Sequence, residues 1–263
     1  MKKIFIVIGL IMTSSVSAET QWKLGAGIGN LTANSYPGSD QTEIIISPIP
    51  YFKIKTEWFD LDREGLHTHW FESTRFRFDV SFDLGLPVDS DDVALRKGMP
   101  DLSPVGLIGP MLKYQLFESA TLKWQLHFPI TYAFEIDDLE AYSIGWVSNP
   151  RIYLNYLHGD TKLPLDISLS LGPIYGSADY HQFYYAVEQS FVTMNRSAYT
   201  TEAGRAGYRF NLSLTKRMNG YWLGLYVRYQ DLSEAVFIDS PLVNKKDYWF
   251  VALGASWLFA GNL

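Results

Sequence analysis

The stretch TLKWQLHFPITYAF, residues 121–134, places an apolar side chain at every second position. A period of two is that of a β-strand, in which successive side chains point to opposite faces of the sheet. The stretch therefore predicts one long strand with an apolar face and a polar face. The apolar face is formed by Leu122, Trp124, Leu126, Phe128, Ile130, Tyr132 and Phe134, and the polar face by Lys123, Gln125, His127 and Thr131.

The same alternation recurs along the chain, as in TRFRFDVSFDLG, residues 74–85, and GYRFNLSLT, residues 207–215. No segment of comparable length has the period of an amphipathic helix. The chain is therefore predicted to be all-β, with about eleven strands once region 58–71 is included. The other strands are predicted at residues 22–33, 42–54, 105–117, 147–157, 163–175, 220–232 and 248–259.

Alternation alone does not say which face is dry, because a soluble barrel or sandwich alternates in the same way. Many of these strands exceed the ~5–6 residues usual in soluble sheets and reach the ~9–11 residues of a tilted transmembrane strand. A barrel of this many strands is also too wide for apolar side chains to fill. The polar faces carry both signs of charge, as at Arg75, Arg77, Asp79 and Asp83. We therefore predict a transmembrane antiparallel up-and-down β-barrel with a polar lumen.

Aromatic residues near the predicted strand ends are typical of the two girdles of an outer-membrane barrel, which rest at the lipid headgroups. Packing remains the default interpretation of each single ring. The set comprises Trp22, Tyr51, Phe52, Trp58, Trp70, Phe71, Tyr132, Phe134, Tyr221, Trp249, Trp257 and Phe259.

The connections between predicted strands are of two lengths. Residues 117–120, 158–162 and 217–220 are short, whereas 86–104, 135–146, 176–202 and 233–247 are long. Short turns belong to the periplasm and long loops to the cell exterior. An odd strand count would leave the mature N-terminus outside. We therefore predict a small hairpin within 58–71, turning near residues 63–65, and twelve strands in all, with ten as the fallback.

The N-terminus reads MKKIFIVIGLIMTSSVSA, in which two lysines precede an apolar run and small residues end at Ala18. This pattern predicts a secretory signal peptide, residues 1–18, cleaved after Ala18. A membrane anchor helix would need ~20 apolar residues. No linker divides the remainder, so residues 19–263 are predicted to form a single barrel domain of the outer membrane.

Composition excludes several classes of function. Removing the two lysines of the signal peptide from 22 basic residues leaves 20 against 28 acidic ones. Nucleic acid is not an expected partner, because phosphate binding needs a basic face. The absence of cysteine excludes disulfides and thiolate metal sites. The expected partner is outer-membrane lipid.

Few residues suggest chemistry. His67 and His69 share one strand face, as metal ligands would, but no third ligand has a fitting spacing. His127 is expected to make a lumen hydrogen bond rather than act as a base. The chain has no G-x-S-x-G elbow and no phosphate-binding glycine loop. The acidic loop of Asp89, Asp91 and Asp92 lacks EF-hand spacing and is interpreted as hydrated. We assign no catalytic, cofactor-binding or metal residue.

The aromatic run HQFYYAV, residues 181–187, lies in the longest predicted outer loop. Rings left in water would form an apolar patch of the kind that proteins seldom expose without a partner. We predict that the run packs within the loop or over the barrel mouth and helps to order residues 176–202, rather than forming a sugar-binding or catalytic platform.

Two blocks resemble a known family. YYAVEQSFVTMNRSAYTTEAGRAGYRFNLSLTKRM, residues 184–218, and LSEAVFIDSPLVNKKDYWFVALGASWLF, residues 232–259, are similar to segments of the MipA/OmpV family (MltA-interacting protein, outer-membrane protein V). The chain departs from that family's aromatic last residue, because Phe259 is followed by Ala-Gly-Asn-Leu. The residues that carry the resemblance are Tyr184, Tyr185, Val187, Arg196, Tyr199, Gly204, Gly207, Ser240, Pro241, Leu242 and Val243.

The resemblance implies a non-enzymatic outer-membrane barrel with a structural or interaction role. Some members are linked to scaffolding a murein hydrolase with a murein synthase, so murein-remodelling proteins of the periplasm are the expected protein partners. Short periplasmic turns offer little surface beside the ~800 Å² per partner of a stable interface. The alternative is a pore for passive transport of small solutes, and an enzyme acting on lipid or peptide is a third class.

Overall fold

The computed structural model describes residues 20–262, except 57–58, 63–64, 69–72, 74, 138–139 and 159–164. The predicted signal peptide and its cleavage site after Ala18 lie outside the described residues. The strands are β1 (Gln21–Asn34), β2 (Thr42–Lys55), β3 (Phe59–Asp62), β4 (Gly65–Thr68), β5 (Phe76–Gly85), β6 (Val105–Glu118), β7 (Leu122–Asp137), β8 (Glu140–Ser148), β9 (Arg151–Tyr156), β10 (Leu165–Gly176), β11 (Gly204–Met218), β12 (Tyr221–Asp231) and β13 (Asp247–Gly261); the helix α1 spans Ala178–Tyr185.

The strands form one closed antiparallel sheet. Strands adjacent in the sheet pair in turn, β10 pairs with β11, and β13 pairs with β1. Both β8 and β9 lie between β7 and β10, so they share one position in the sheet. Thirteen strand segments in the described chain therefore give twelve positions around the barrel. The predicted up-and-down barrel is confirmed.

The two faces of β7 show which way the barrel points. Ile130 and Tyr132 on the apolar face are 60% and 59% exposed, whereas His127 and Thr131 on the polar face are 4% and 7% exposed. A soluble barrel would bury the apolar face instead. The polar face lines the lumen and the apolar face meets lipid, as the alternation predicted.

The connections follow the predicted pattern with one exception. The predicted hairpin within 58–71 is present as β3 and β4. The prediction of a long loop at 135–146 is wrong, because Asp137 pairs with Glu140 at the tip of a hairpin. The ladder of β7 and β8 continues there in residues without an apolar alternation, since a strand pair beyond the membrane needs only its backbone hydrogen bonds.

The aromatic girdles are present in the described chain, with one correction. At the short-turn end Tyr221, Trp257 and Phe259 are exposed to lipid. Tyr51 is buried in the lumen, where its ring lies 6.0 Å from that of Trp222, so its assignment to a girdle is wrong. The pleat turns Tyr51 to the inner face while its neighbour Phe52 points outward. Trp58, Trp70 and Phe71 lie outside the described residues.

The C-terminal tail completes the seam between the first and last strands. β13 runs past Phe259 and pairs as far as Gly261 with Lys23. The side chain of Asn262 then accepts a hydrogen bond from Trp22 N at 2.7 Å and donates one to Thr20 O at 3.0 Å. The residues that depart from the family pattern thus extend the strand pairing of the barrel.

The long connections gather at one end of the barrel and form what we call the cap, residues 35–41, 86–104, 177–203 and 232–246. The buried apolar residues of the cap pack against inward-facing residues of the upper barrel, among them Ala133, Ile144 and Ala206. The hydrophobic core of the molecule therefore lies in the cap and the barrel mouth. Among the described helices, none has the length and apolar character needed to cross a bilayer.

Candidate functional site

The aromatic run lies at the centre of the cap, on helix α1. The Ser177 side chain caps this helix by accepting a hydrogen bond from Tyr180 N at 3.3 Å. The ring of Tyr185 stacks on Phe237 with centroids 3.7 Å apart. Tyr184 is buried beside it, and burial raises the pKa of both tyrosines well above the ordinary value, so both stay neutral. The rings pack inside the cap, as predicted for residues 181–187.

Polar groups of the run join it to two other cap segments. The hydroxyl of Tyr185 donates to Pro37 O at 2.9 Å. The carbonyl of Tyr185 accepts a hydrogen bond from the Ser240 hydroxyl at 2.8 Å. One residue of α1 therefore holds the turn after β1 and the loop after β12 together.

Arg196 joins the loop after α1 to the loop after β5. Its Nη1 donates to the carbonyls of Leu95 at 2.9 Å and Lys97 at 3.2 Å, and its Nε donates to Phe191 O at 2.9 Å. Nearby, Val187 and Tyr199 exchange backbone hydrogen bonds of 2.9 and 3.0 Å. Arg196 is thus committed to backbone acceptors, which is the geometry of a structural clamp.

Arg96 is a second clamp, which sequence reasoning missed. Its guanidinium is almost fully buried and donates to Ser90 Oγ at 3.1 Å, Tyr184 O at 3.2 Å and Pro100 O at 3.1 Å. Burial lowers the pKa of Arg96. No sequence signal distinguished Arg96 from the hydrated charged residues around it. The nearby Asp91 carboxylate accepts from Gly98 N at 3.3 Å, so it stabilises the loop.

The second family block closes the cap against the turn after β1. Asn244 N and Lys245 N donate to Gly38 O at 3.0 and 3.1 Å. Gly38 has a φ of 107°, and a Cβ there would meet Val243 Cγ2 at 3.1 Å. Pro241 lies in this segment between Ser240 and Leu242, whose carbonyl accepts the Tyr36 hydroxyl at 2.7 Å.

Two glycines of the first family block join the cap to the wall. A Cβ on Gly204 would meet Val236 Cγ1 at 2.6 Å, so a side chain there would push the β12–β13 loop away. Gly207 has a φ of 97°, and a Cβ there would lie 1.9 Å from Asp231 O. Both positions require the close approach that only glycine permits.

Ion pairs cross the lumen below the cap. Asp79 on β5 pairs with Lys113 on β6 at 2.5 Å, and both are buried. Asp83, also on β5, pairs with Arg228 on β12 at 3.0 Å and lies 3.7 Å from Arg209 on β11. The last two contacts span the barrel interior, because β5 and β11 are far apart around the sheet. Charges of both signs thus pair within the lumen.

His127 Nε2 lies 2.9 Å from Gln125 Oε1, and its ring stacks on Tyr153 at 4.6 Å, in agreement with a structural lumen contact. His69 lies outside the described residues, and His67 is described only as part of β4. No cluster of three metal-ligating side chains occurs in the described ranges.

Solved structures similar to this chain include the toluene transporter TodX of Pseudomonas putida (8% identity, 93% of this chain and 90% of that chain, TM-score 0.33). A porin (10%, 92% and 100%, TM-score 0.31) and the outer membrane protein AlkL (12%, 97% and 97%, TM-score 0.25) are also similar. No curated protein sequence matches the chain.

A family model carries the decisive match. The model described as MltA-interacting protein MipA matches residues 24–259, which include both blocks that suggested the family. The chain is thus an outer-membrane β-barrel protein, and it belongs to the MltA-interacting protein MipA family.

Proposed function

We propose that this chain is a non-enzymatic interaction protein of the cell envelope, with a barrel closed by its own cap rather than held open as a pore. The observation that carries the proposal is the pair of arginine clamps. Arg96 and Arg196 bind cap segments together through carbonyl acceptors, over a mouth filled by buried rings. The Asp83–Arg228 pair crosses the lumen below. An open channel would require these contacts to break.

The family description, MltA-interacting protein, supports a murein hydrolase as the partner. We infer a link from that hydrolase to a murein synthase as the fuller role. Such a partner is periplasmic and would meet the short-turn end of the barrel. The described turns at that end are brief, with residues 119–121 between β6 and β7 and 219–220 between β11 and β12. A stable interface of ~800 Å² per partner would therefore have to combine several turns with the barrel rim.

Binding of a purified murein hydrolase to the barrel in nanodiscs tests the partner. A flexible six-residue insertion between Asn219 and Gly220 is expected to weaken binding, because it places a bulky loop in the interface. The matched insertion after Met194, a fully exposed cap residue, is expected to leave binding unchanged. Absence of binding, or sensitivity to the cap insertion alone, would contradict the proposed partner.

Conductance across a planar bilayer separates the interaction role from the second candidate, a pore for small solutes. The polar lumen favours the pore, and the clamps favour closure. The purified and refolded protein is expected to give no stepwise openings. Regular openings without added ligand would contradict the closed barrel and favour passive solute transport.

A further inference from the structure

Among the described residues, strand pairing around the barrel is least complete beside the β3–β4 hairpin. In the described chain β3 pairs with β2 only at Ile54 and Lys55. The same register would place Asp62, the end of β3, opposite Lys53. Residues 42–49 of β2 lie beyond that point and pair with β1 on one side, with no described strand on the other. At ~3.3 Å per residue this stretch measures about 26 Å, close to the ~25 Å of the apolar band of such barrels.

β5 shows the same feature from the opposite side. β4 pairs with β5 at Leu66 and Val80 among the described residues, and this register would place Gly65 opposite Ser81. The last part of β5, residues 82–85, therefore extends past the hairpin with β6 as its described neighbour.

The cap closes the top of this opening. The side-chain amide of Gln41 donates to Asp92 O at 2.8 Å and accepts from Ala94 N at 2.7 Å. These bonds tie the start of β2 to the loop that follows β5. The opening thus has four sides, namely β2, β5, the hairpin and the Gln41 contact, and we call it the lateral window.

Side chains on both faces of β2 are exposed, which supports an opening beside this strand rather than an edge covered by other residues. Ile44, Ile45 and Ile46 are consecutive in sequence and are 68%, 39% and 68% exposed. Ile45 shares the inner face with buried Tyr51, because the two positions differ by an even number. Elsewhere inner-face residues such as Thr131 are buried. Within the described ranges, no part of the chain therefore fills the space behind residues 42–49.

The window has an apolar rim and a cationic interior. On β5 the outward side chains of Phe82 and Leu84 are exposed, while Asp83 between them points inward. Arg209 and Arg228 both approach the same Oδ2 atom of Asp83, so two cations share one carboxylate. Buried Nε of Arg209 has no hydrogen-bond acceptor among the described residues. Among these three described side chains, one positive charge and one donor are thus left unmatched, beside the edge of β5 that frames the window.

We propose that the lateral window admits an anionic single-chain amphiphile from the lipid phase and binds it with its head group at Arg209 and Arg228. The alkyl chain would lie over the apolar rim at Ile45 and Ile46, and the carboxylate would take the vacant Arg209 donor. The two parts of such an amphiphile match the two parts of the window. The apolar rim faces lipid and suits the alkyl chain, and Arg209 and Arg228 lie inside and suit the anionic head group. This binding site goes beyond the proposed interaction role and does not depend on it.

Photocrosslinking of the intact barrel in lipid vesicles tests the site. The probe is a long-chain alkyl carboxylate with a diazirine on its chain, and mass spectrometry locates the adducts. Adducts are expected to concentrate in residues 42–49 and 82–86 and to be displaced by unlabelled alkyl carboxylate. An even distribution over all lipid-facing strands, or equal labelling by the corresponding alkyl alcohol, would overturn the proposal.

Arginine variants with a matched control test the head-group site. Arg209→Gln is expected to weaken carboxylate binding about tenfold, the usual effect of losing one charged hydrogen bond. Arg217→Gln removes a cation from the same face of the same strand near the short-turn end, where Arg217 pairs with Asp166, and is expected to have no effect. Heat-modifiable gel migration shows that each variant is folded. Equal affinities for the two variants would overturn the site.

A second copy of the chain could instead cover β2 by strand pairing. Because the sequence contains no cysteine, Ser47→Cys introduces a single thiol on the exposed stretch of β2. Mild oxidation in vesicles is expected to leave this variant monomeric. Efficient disulfide dimerisation, together with loss of the amphiphile adducts, would show that a second copy occupies the window and would overturn the proposal.

Discussion

The wall of the barrel and its cap use the same residue types in opposite ways. Tyr132 in the wall is 59% exposed, whereas Tyr185 in the cap is 3% exposed. Likewise, Phe128 in the wall is exposed, whereas Phe237 in the cap is buried. The wall turns its rings to lipid and relies on the backbone ladder between its strands, while the cap buries its rings as a soluble protein does. The cap is therefore a small soluble-type core placed on a membrane-type scaffold.

Because the two regions are stabilised by different forces, they are expected to fail separately. Loss of a buried ring should open the cap and leave the ladder intact. A charge on the lipid face should impair assembly of the wall without removing any buried contact of the cap.

The largest effect is expected for Tyr185→Ala. Truncating a buried aromatic ring costs about 3–5 kcal/mol, and this ring stacks on Phe237 and holds Pro37. The cap, residues 177–203 in particular, should become sensitive to protease added outside intact cells, while heat-modifiable migration of the barrel persists. Tyr132→Ala is the matched control, and it should cause little cleavage because its ring faces lipid. Equal cleavage of both variants would show that the two regions are not distinct.

Ile130→Arg probes the wall. Arginine on the lipid face costs about 2–4 kcal/mol near the bilayer midplane, so the folded fraction in urea titrations with lipid vesicles should fall. Gln125→Arg places the same side chain in the polar lumen beside Gln115 and should be tolerated better. If the lumen variant were the more damaging of the two, the assignment of faces would be wrong.

Arg196→Met tests the clamp. Hydrogen bonds to a charged group contribute about 1.5–3 kcal/mol, so losing those to Leu95 and Lys97 should speed hydrogen exchange in residues 86–104 and 177–203. The control is Arg205→Met, which removes an exposed ion pair with Glu234 and should change exchange little. Unchanged exchange in the Arg196 variant would mean that ring packing alone holds the cap.

The wall was predictable from sequence because each strand repeats a simple period of two. The faces of β7 and the β3–β4 hairpin followed from that period and from the even strand count. The β7–β8 hairpin at 135–146 was missed, because a ladder beyond the membrane needs no apolar alternation. Pro48 is a signal for the part of β2 that lacks a second described partner strand, since proline lacks the N–H that such a strand would need.

The cap was predictable only in part. The density of rings in residues 181–187 indicated self-packing, and the rings of His181, Tyr184 and Tyr185 are buried. The roles of Arg96 and Arg196 could not be predicted, because most of their acceptors are backbone carbonyls, the farthest of which is 101 positions away in the chain. Carbonyl groups are present at every residue, so no pattern of side chains identifies which ones a guanidinium will meet.

The smallest effect is expected from protonation of His181, and it should be confined to the cap. The ring is fully buried against Phe237, its Nδ1 lies 2.8 Å from Glu202 O, and burial lowers the pKa of His181 below its ordinary value of 6.5. Because the folded state disfavours the charged ring, the neutral His181 ring contributes its full stability to the cap above pH 6.5. This contribution should decline as the pH falls below 6.5. Protease cleavage within residues 177–203 should therefore rise between pH 7.5 and pH 5.

His181→Phe should flatten this pH dependence. His158→Gln is the control, because His158 lies beyond β9 at the short-turn end of the barrel, and its cleavage profile should follow that of the parent protein. A pH dependence that survives in the His181 variant would assign the effect to other groups of the cap. A change in heat-modifiable migration over the same range would show that the wall titrates as well, and that the two regions are not independent of each other in acid.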